Sequence, residues 1–309
     1  MLSYLHGFHA GNHADILKHV TLMYVLEYLS KKDKPWCIFD THAGSGMYSL
    51  SSPESLKTGE AARGISKLLE KHKSAPDSVP EGLKPYIDFV NSSLEKNYYP
   101  GSPAIEIHLA SRGKGNAVFL SELHKKEYEK LLDAERCLSS REGASVSVVN
   151  KSGWEVLKSR IPPAIKRGAV LCDPSYEDLS DYHNAAELLS MVHRKWSGGT
   201  VMLWYPLLSN KIEEIENMKQ QIFAAAKNRD CHTEVLDAVL CVDTEDSHVE
   251  TTLEKSIGSE KPRLYGSGML VVNPSWGLEE HLKQVLPFLA SLLGNDGNGS
   301  WSAGLLDKM

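Results

Sequence analysis

The stretch AVLCDPSY, residues 169–176, decides the fold, because an apolar strand ends here directly in polar and ring-binding residues. Asp173 supplies a hydrogen-bond acceptor, the backbone carbonyl of Pro174 supplies a second one, and Tyr176 offers an aromatic face. Together they make a small cup that suits a planar ring with an exocyclic amine. A base inside a duplex cannot reach such a cup, so the sequence predicts an unpaired or flipped-out base as its occupant.

An earlier strand, WCIFD at residues 36–40, runs into the glycine turn THAGSG at residues 41–46. Glycines let the backbone approach a ligand closely, and such a turn aims amide donors at it. The turn does not have the GxGxxG spacing of the dinucleotide-binding loop. Glu122, at the end of the next core strand, adds an acid of the kind that binds ribose hydroxyls. The glycine turn and Glu122 together indicate a nucleotide-like cofactor. The alternative is that the turn only connects a strand to a helix.

Seven apolar strand-like runs recur along the chain with helical stretches between them, and residues 14–30 have helical spacing before the first run. This alternation predicts an α/β fold with a mainly parallel, seven-stranded sheet covered on both faces. The runs are 36–40, 117–122, 145–149, 169–173, 200–205, 235–242 and 268–273.

The distance between the glycine turn and the second strand is too long for a simple βαβ unit, and residues 53–99 have a helical pattern. We therefore expect a core of residues 1–52 and 100–309, with residues 53–99 as an inserted helical subdomain. Residues 294–300 are rich in glycine and polar residues, which predicts a loop or disorder.

Composition excludes several classes of protein. No apolar run approaches the roughly 20 residues of a membrane span, and the first residues do not resemble a signal peptide. The five cysteines are scattered and lack CxxC pairs, which predicts neither disulfides nor a zinc site. A cytoplasmic protein without membrane contact and without a metal is expected.

The net charge of −6 argues mildly against a nucleic-acid partner, but the cations are clustered. Basic patches beside a site can steer RNA, and the alternative is a solvated mixed surface. The clusters are Lys31, Lys32 and Lys34, then Lys158, Arg160, Lys166 and Arg167, and finally Arg194 and Lys195.

A second tetrapeptide, NPSW at residues 273–276, has nearly the same pattern as DPSY. We prefer Asp173, because it lies in the middle of the strand series, whereas Asn273 ends the last run and is expected near a sheet edge. A second alternative site is the histidine-rich start. His6, His9 and His13 would share a helical face that could bind a metal, but glycines interrupt the segment and favour a loop beside the site.

Ten short stretches resemble the bacterial RlmJ family, which methylates the N6 of an adenine in 23S ribosomal RNA. The DPSY tetrapeptide is also close to the Asp-Pro-Pro-Tyr motif of amino-methyltransferases. The resemblance covers nearly the whole chain. Its stretches are MLSY (1–4), FHAGNHAD (8–15), LKH (17–19), DKP (33–35), DTHAG (40–44), TGE (58–60), YYPGSP (98–103), ELH (122–124), WYP (204–206) and SGM (267–269).

This resemblance implies a class I, Rossmann-like methyltransferase that uses S-adenosylmethionine. It assigns catalysis to Asp173, Pro174 and Tyr176, with Asp173 as the acceptor for the amine, and contact with the substrate RNA to Tyr4. Lys18 could pair with the cofactor carboxylate. The residues expected to bind the cofactor are Lys18, His19, His42, Ser102, Glu122, Ser152, Gly153 and Asp173.

The chain departs from the family pattern at two positions. Ser175 stands where the family has a second proline, which would stiffen the cup. Ser152 stands where the family has an aspartate, so a hydroxyl replaces a carboxylate that would accept from the cofactor's adenine amine. We expect weaker cofactor binding and slower turnover from these changes.

The sequence thus predicts a monomeric S-adenosylmethionine-dependent enzyme acting on adenine N6 in 23S rRNA. Two alternatives stay open. The first is a DNA adenine-N6 methyltransferase, which would use the same chemistry. The second is a catalytically weak RNA-binding relative, which the serines at positions 175 and 152 keep in consideration.

Overall fold

The computed structural model describes residues 6–139, 143–227, 233–245 and 264–307. Ten strands and eleven α-helices are defined within these ranges. The strands are β1 (Cys37–Asp40), β2 (Met47–Tyr48), β3 (Tyr99–Pro100), β4 (Ala117–Ser121), β5 (Ser145–Val149), β6 (Gly168–Cys172), β7 (Thr200–Leu208), β8 (Val235–Cys241), β9 (Leu264–Val272) and β10 (Ser300–Leu305). The helices are α1 (His13–Ser30), α2 (Pro53–Thr58), α3 (Glu60–Arg63), α4 (Ile65–Ser74), α5 (Lys84–Leu94), α6 (Ser102–Ala110), α7 (Lys125–Leu138), α8 (Gly153–Arg160), α9 (Ser180–Lys195), α10 (Ile212–Lys227) and α11 (Leu278–Leu293).

The main sheet has the strand order β10-β8-β9-β7-β6-β1-β4-β5, and β2 pairs separately with β3. Strands β5, β4, β1, β6 and β7 pair in parallel, while β9 runs antiparallel to both β7 and β8. The expected mainly parallel α/β sheet is confirmed. All residues of β1 and β6 are buried, as expected of strands covered by helices on both faces.

The sheet has eight strands, not seven. The additional strand is β10, which pairs antiparallel with β8 and begins at Ser300. The glycine-rich segment before it contains a short 3-10 turn, Asn295–Gly297, instead of forming only a loop. The first half of β10 is exposed, so this edge strand lacks the apolar run that identified the others.

Strand β9 does not lie at the edge of the sheet, which corrects the position expected for Asn273. It is inserted between β7 and β8 and runs against them, with Val272 paired to Val201 near the start of β7. Asn273 therefore lies at the amino-terminal edge of the parallel strands, whereas Asp173 follows β6 at their carboxyl-terminal edge. The two similar tetrapeptides lie on opposite sides of the molecule.

Residues 53–94 are largely helical, from α2 to α5, as the sequence pattern predicts. Their apolar side chains, including Ile65, Leu68 and Ile87, share one buried cluster with residues of α1 and α11. Backbone packing is close where α4 begins, since the amide of Ile65 donates to the carbonyl of Gly11 at 2.8 Å. The division of the chain into a core and an inserted subdomain stays a prediction.

Helix α1 begins immediately after the glycine-interrupted histidine segment. The side chain of Asn12 caps it by accepting a hydrogen bond from the amide of Asp15 at 2.9 Å. His6 and His13 are consequently on different elements, a 3-10 turn and α1, and do not share one helical face. Within the described ranges, no helix is both long and apolar enough to cross a membrane.

Candidate active site

A cavity opens at the carboxyl-terminal edge of the sheet, between β1 and its neighbours β4 and β6, where the strand order reverses. All eight residues that the sequence predicted to bind the cofactor line this cavity. They come from α1, the turn after β1, the start of α6, the end of β4, the start of α8 and the end of β6: Lys18, His19, His42, Ser102, Glu122, Ser152, Gly153 and Asp173. Residues that are far apart in the chain therefore meet because the parallel strands end at one edge.

The glycine turn holds the carboxylate of Glu122 in place. The amide of Gly44 donates to Oε2 at 2.8 Å, and the amide of His124 donates to Oε1 at 2.6 Å. Burial raises the pKa of Glu122, while these two hydrogen bonds act to lower it. Gly44 has φ of +59°, and a Cβ there would lie 2.2 Å from the Tyr48 hydroxyl oxygen. The turn thus requires glycine, and each Glu122 oxygen keeps further accepting capacity for a ligand hydroxyl.

Asp40 and Ser102 connect the end of β1 to the start of α6 beneath the cavity. The Ser102 hydroxyl donates to Asp40 Oδ2 at 2.6 Å, and the His42 amide donates to Oδ1 at 3.1 Å. Burial raises the pKa of Asp40 to about 6, and the Ser102 bond opposes this rise. Sequence reasoning quoted Asp40 only as the last residue of the strand 36–40 and gave it no role in the site. Its place at a strand end, directly before a glycine turn, was the available clue.

His42 presents a neutral imidazole to the cavity. Burial lowers the pKa of His42 to about 4, so the ring is uncharged at neutral pH. Its Nδ1 lies 2.7 Å from the Thr41 hydroxyl, and its ring meets that of Trp154 edge-on at 4.9 Å. His19 is fully buried, with Nδ1 3.4 Å from the Tyr99 hydroxyl. These contacts fix both rings in the cavity wall.

Helix α8 begins against the backbone of the glycine turn. A Cβ on Gly153 would lie 2.2 Å from the carbonyl oxygen of Thr41, so this close approach requires glycine. Ser152 is the N-cap residue of α8, but its side chain makes no capping hydrogen bond there. Its hydroxyl therefore remains available to the cavity that it lines.

Lys18 joins two carboxylates at the end of β6. Its ammonium Nζ lies 2.5 Å from Asp173 Oδ2 and 3.0 Å from Asp15 Oδ1. The side chains of Lys18 and Asp173 are only 6% and 14% exposed, so water screens this pair weakly. Lys18 thus binds the carboxylate of Asp173, and its expected pairing with a cofactor carboxylate stays a prediction.

A second cavity adjoins the first and shares Lys18, Asp173 and Ser175 with it. Asp173 consequently stands at the boundary between two cavities. Sequence reasoning did not assign Trp204 and Pro206 to a site, although the stretch WYP that contains them was noticed. The other residues around the second cavity are His9, Asn12, Ala14, Asp15, Trp204, Pro206, Leu208 and Leu264.

The structure does not bring Pro174 or Tyr176 to either cavity. Both residues are buried, and the Tyr176 hydroxyl donates to the backbone carbonyl of Trp204 at 2.9 Å. The Tyr176 ring packs on Tyr182, with ring centroids 4.6 Å apart. The stacking face that the sequence placed at Tyr176 thus lies in the core. The aromatic residue that lines the second cavity is Trp204, whose indole nitrogen is buried and has no hydrogen-bond partner among the described residues.

His9, on the wall of the second cavity, is bound to the short helix α3. Its Nδ1 lies 3.0 Å from Glu60 Oε1, and the side-chain amide of Asn12 donates to Glu60 Oε2 at 2.9 Å. Sequence reasoning missed this link, since Glu60 is distant in the chain and belongs to the segment taken as an insertion. Tyr4, expected to contact RNA, lies outside the described residues.

Comparisons with known proteins agree over nearly the whole chain. Residues 33–306 match the family described as ribosomal RNA large subunit methyltransferase D, RlmJ. The chain is 34% identical over 306 residues to ribosomal RNA large subunit methyltransferase J of Haemophilus influenzae, covering 98% of each chain. It is 35% identical over 302 residues to the Escherichia coli protein of the same name, covering 97% of this chain and 96% of that one.

One solved structure is similar along its entire length. A crystal structure of a Legionella pneumophila protein aligns with a TM-score of 0.78 and 27% sequence identity. The alignment covers 97% of this chain and 99% of that one. The fold is thus also found, over nearly the whole chain, in an experimentally determined structure.

Proposed function

The chain belongs to the RlmJ family of ribosomal RNA large subunit methyltransferases, and we propose that it methylates the N6 of an adenine in 23S rRNA with S-adenosylmethionine as donor. One observation carries the proposal. Asp173 stands between two adjoining cavities, so that a donor in one and a base in the other would both reach it. Methyl transfer needs this arrangement, because the methyl group of the donor and the amine of the base must be held close together and in line with each other. Two cavities that meet at Asp173 would allow each to approach from its own side.

The first cavity fits the chemistry of S-adenosylmethionine. Glu122 can accept from ribose hydroxyls, and the Ser152 hydroxyl can accept from the adenine amine. The close packing that requires glycine at positions 44 and 153 leaves a cradle without intruding side chains. When bound, this cofactor supplies the methyl group on its sulfonium. We propose that Lys18, His19, His42, Ser102, Glu122, Ser152, Gly153 and Asp173 hold it.

The second cavity would receive the target base. An adenine amine is a poor nucleophile, because its lone pair is delocalised into the ring. A carboxylate oxygen that accepts one amine hydrogen favours a more tetrahedral nitrogen. Lys18 holds Oδ2 of Asp173, which leaves Oδ1 to accept from the amine. Trp204 offers a ring face, and stacking on an aromatic ring contributes about 1–3 kcal/mol per base.

Pro174 and Tyr176 support this site from behind in our proposal. The hydrogen bond of the Tyr176 hydroxyl to the carbonyl of Trp204 joins the loop after β6 to β7, and so fixes Asp173 relative to the second cavity. Tyr176 has φ of +54°, a backbone conformation that non-glycine residues rarely adopt. Ser175 lines both cavities, where the family pattern has proline.

Four further expectations belong to the same proposal. The enzyme would act as a monomer in the cytoplasm, where its RNA substrate is made, with Tyr4 contacting that RNA. The core would consist of residues 1–52 and 100–309, and residues 53–99 would be an inserted helical subdomain. Size-exclusion chromatography with light scattering measures the oligomeric state directly.

Incubation with methyl-labelled S-adenosylmethionine tests the proposal. Protein-free 23S rRNA and double-stranded DNA of the same sequence are offered separately, and the products are digested to nucleosides. We expect N6-methyladenosine in the RNA and none in the DNA. Label confined to DNA would establish the first alternative, a DNA adenine methyltransferase. RNA binding without label in either substrate would establish the second, a catalytically weak RNA-binding relative.

A further inference from the structure

The cationic clusters of this acidic protein meet at the edge of the sheet that lies opposite the candidate active site. Lys31, Lys32 and Lys34 lie between α1 and β1, and Lys166 and Arg167 lie before β6. Lys195 ends α9, which leads into the start of β7. We call these six side chains the basic edge. The sequence suggested that such clusters could flank the site. All six residues instead lie at the amino-terminal ends of the parallel strands, whereas the candidate active site lies at their carboxyl-terminal ends.

Hydrogen bonds between loops make the basic edge one surface. The Arg167 guanidinium donates to the carbonyls of Lys34 at 2.6 Å and Leu29 at 2.7 Å, which joins the first two loops. The indole of Trp196 donates to the carbonyl of Lys166 at 2.8 Å, which joins the second loop to the end of α9. The relative positions of the cations are therefore set by the fold.

An exposed tryptophan lies on the same side of the molecule. Trp276 is 85% exposed, the largest exposure among the large hydrophobic side chains of the described residues. The hydroxyl of Tyr24 donates to its carbonyl oxygen at 3.0 Å. The side-chain amide of Asn273 reaches the carbonyl of Gly199 at 3.3 Å, so the tryptophan loop adjoins the loop after Lys195. Cations beside an exposed aromatic ring are the side chains that bind phosphates and unpaired bases.

Helix dipoles account for only part of this concentration of charge. Cations in the last turn of a helix are stabilised by its carbonyl end, which explains Lys195 and also Lys158 and Arg160 in α8. Lys31 is the C-cap residue of α1, so the carbonyl end of that helix also stabilises its charge, whereas Lys32 and Lys34 lie beyond the helix. All three lysines are exposed, and within the described ranges none of them lies within 4.0 Å of an acidic oxygen. Asp33 is the one acid between residues 31 and 36.

The candidate active site has the opposite charge pattern. Between positions 173 and 181, the loop after β6 and the first turn of α9 carry four acids and no lysine or arginine: Asp173, Glu177, Asp178 and Asp181. This part of the site repels phosphates, so attraction for an RNA chain must come from elsewhere. Because β6 has five residues at about 3.3 Å each, the two edges are roughly 17 Å apart. An RNA long enough to fold around the protein could contact both.

We propose that the basic edge, with Trp276, is a second RNA-binding surface that holds a distant segment of the same large-subunit rRNA whose adenine enters the active site. The proposal rests on the proposed function for the identity of the RNA. Its phosphates would be bound by the lysines, and an unpaired base would stack on Trp276. A short RNA would reach only the active site and not the basic edge. The basic edge would therefore favour long, folded RNA as the substrate.

The triple variant Lys31→Gln, Lys32→Gln, Lys34→Gln tests the surface. These exposed side chains are remote from the active site, and the Lys34 carbonyl bound by Arg167 is unchanged. We expect the KM for full-length rRNA to rise about tenfold with kcat unchanged. The slope of log affinity against log salt should fall by about one for each phosphate contact removed. Kinetics with a short RNA stem-loop containing the target adenine should stay within twofold of wild type.

The matched control is Lys67→Gln, Lys71→Gln, Lys73→Gln, which removes the same charge from α4. Equal losses in control and test variants, or no change with full-length rRNA, would overturn the proposal. Equal losses on long and short RNA would also overturn it, because the lysines would then act at the active site. If the wild type methylates neither RNA, the proposed function fails, and filter binding of full-length rRNA to the same variants still decides whether the surface exists.

Discussion

Lys18 and Asp173 are 155 positions apart in the chain, yet Nζ of the lysine lies 2.5 Å from Oδ2 of the aspartate. Lys18 belongs to α1, before the first core strand, and Asp173 follows the fourth core strand along the chain, β6. The bond orients the carboxylate between the two cavities. It also gives the N-terminal segment a direct structural connection to the reaction site.

Replacing Asp173 by alanine should abolish methyl transfer and leave the fold intact. The variant loses the acceptor for the amine, and catalysis of this kind contributes on the order of 10²–10⁴-fold. Lys18 keeps its ion pair with Asp15, so no buried charge is left unpaired. The measurement is single-turnover methylation of rRNA together with a thermal melt. Asn273→Ala, in the similar tetrapeptide at the opposite edge, is the control and should retain activity on a short RNA stem-loop, which does not reach the basic edge. Asp173→Ala activity within threefold of wild type would contradict the assignment.

Gly153→Ala should weaken cofactor binding at least tenfold. Its Cβ would meet the Thr41 carbonyl at 2.2 Å, and a backbone atom cannot give way as a flexible side chain can. Displacing α8 would move Ser152 away from the cavity, and the overpacking should also destabilise the protein by about 1–3 kcal/mol. Calorimetric titration with S-adenosylhomocysteine measures the affinity. Gly198→Ala is a matched control, since nothing lies within 4 Å of its added carbon. If Gly153→Ala and Gly198→Ala bind S-adenosylhomocysteine with similar affinity, the close packing of Gly153 against the Thr41 carbonyl is contradicted.

Glu60→Gln should destabilise the protein most in mildly acidic solution. Burial acts to lower the pKa of His9, but the hydrogen bond and charge of Glu60 outweigh it and hold this pKa above 6.5. Burial likewise acts to raise the pKa of Glu60, yet His9 holds it below 4.5. The stabilisation of the folded protein that comes from the raised pKa of His9 is complete below pH 6.5. It is lost as the pH rises through the pKa that His9 has in the folded protein. The stabilisation that comes from the lowered pKa of Glu60 is present above pH 4.5. It is lost as the pH falls through the pKa that Glu60 has in the folded protein.

The expected result is a larger loss of melting temperature at about pH 5.5 than at about pH 9, because both groups are charged only in that window. The His9 side chain is 37% exposed, so screening by water keeps the effect modest. Glu70→Gln, on the exposed face of α4, should show no such difference. A pH-independent loss for Glu60→Gln would mean that the bond to Asn12, not the charge pair, holds this contact.

Ser175→Pro should be tolerated and should preserve or raise activity. Within the described residues the amide of Ser175 donates no hydrogen bond, so proline removes no donor that is in use. Proline would stiffen the boundary between the two cavities by fixing one dihedral angle. Denaturant unfolding and steady-state methylation measure both effects. A loss of more than about 2 kcal/mol would show that the backbone at this position cannot adopt the proline conformation.

The sequence alone determined the alternation of strands and helices, because the spacing of apolar residues, the apolar runs and the glycine turns are local properties. It also placed the glycine turn, Glu122 and Asp173 near one another, because residues that follow parallel strands meet at one edge. The other residues expected to bind the cofactor came from the resemblance to the RlmJ family, and they line the same cavity. It could not identify β10, whose exposed edge position requires no apolar run. Nor could it find Trp204 and Glu60, whose roles depend on contacts between distant segments.

Only the tertiary structure placed the two similar tetrapeptides on opposite edges of the sheet. Both end apolar strands, but β9 runs antiparallel to its neighbours, which carries Asn273 to the edge opposite Asp173. The same non-local pairing directed the ring of Tyr176 into the core and placed the cationic loops away from the active site. Local sequence specifies that a strand forms. Its direction and neighbours depend on which arrangement of all strands buries the most apolar surface, and this decides which residues share a site.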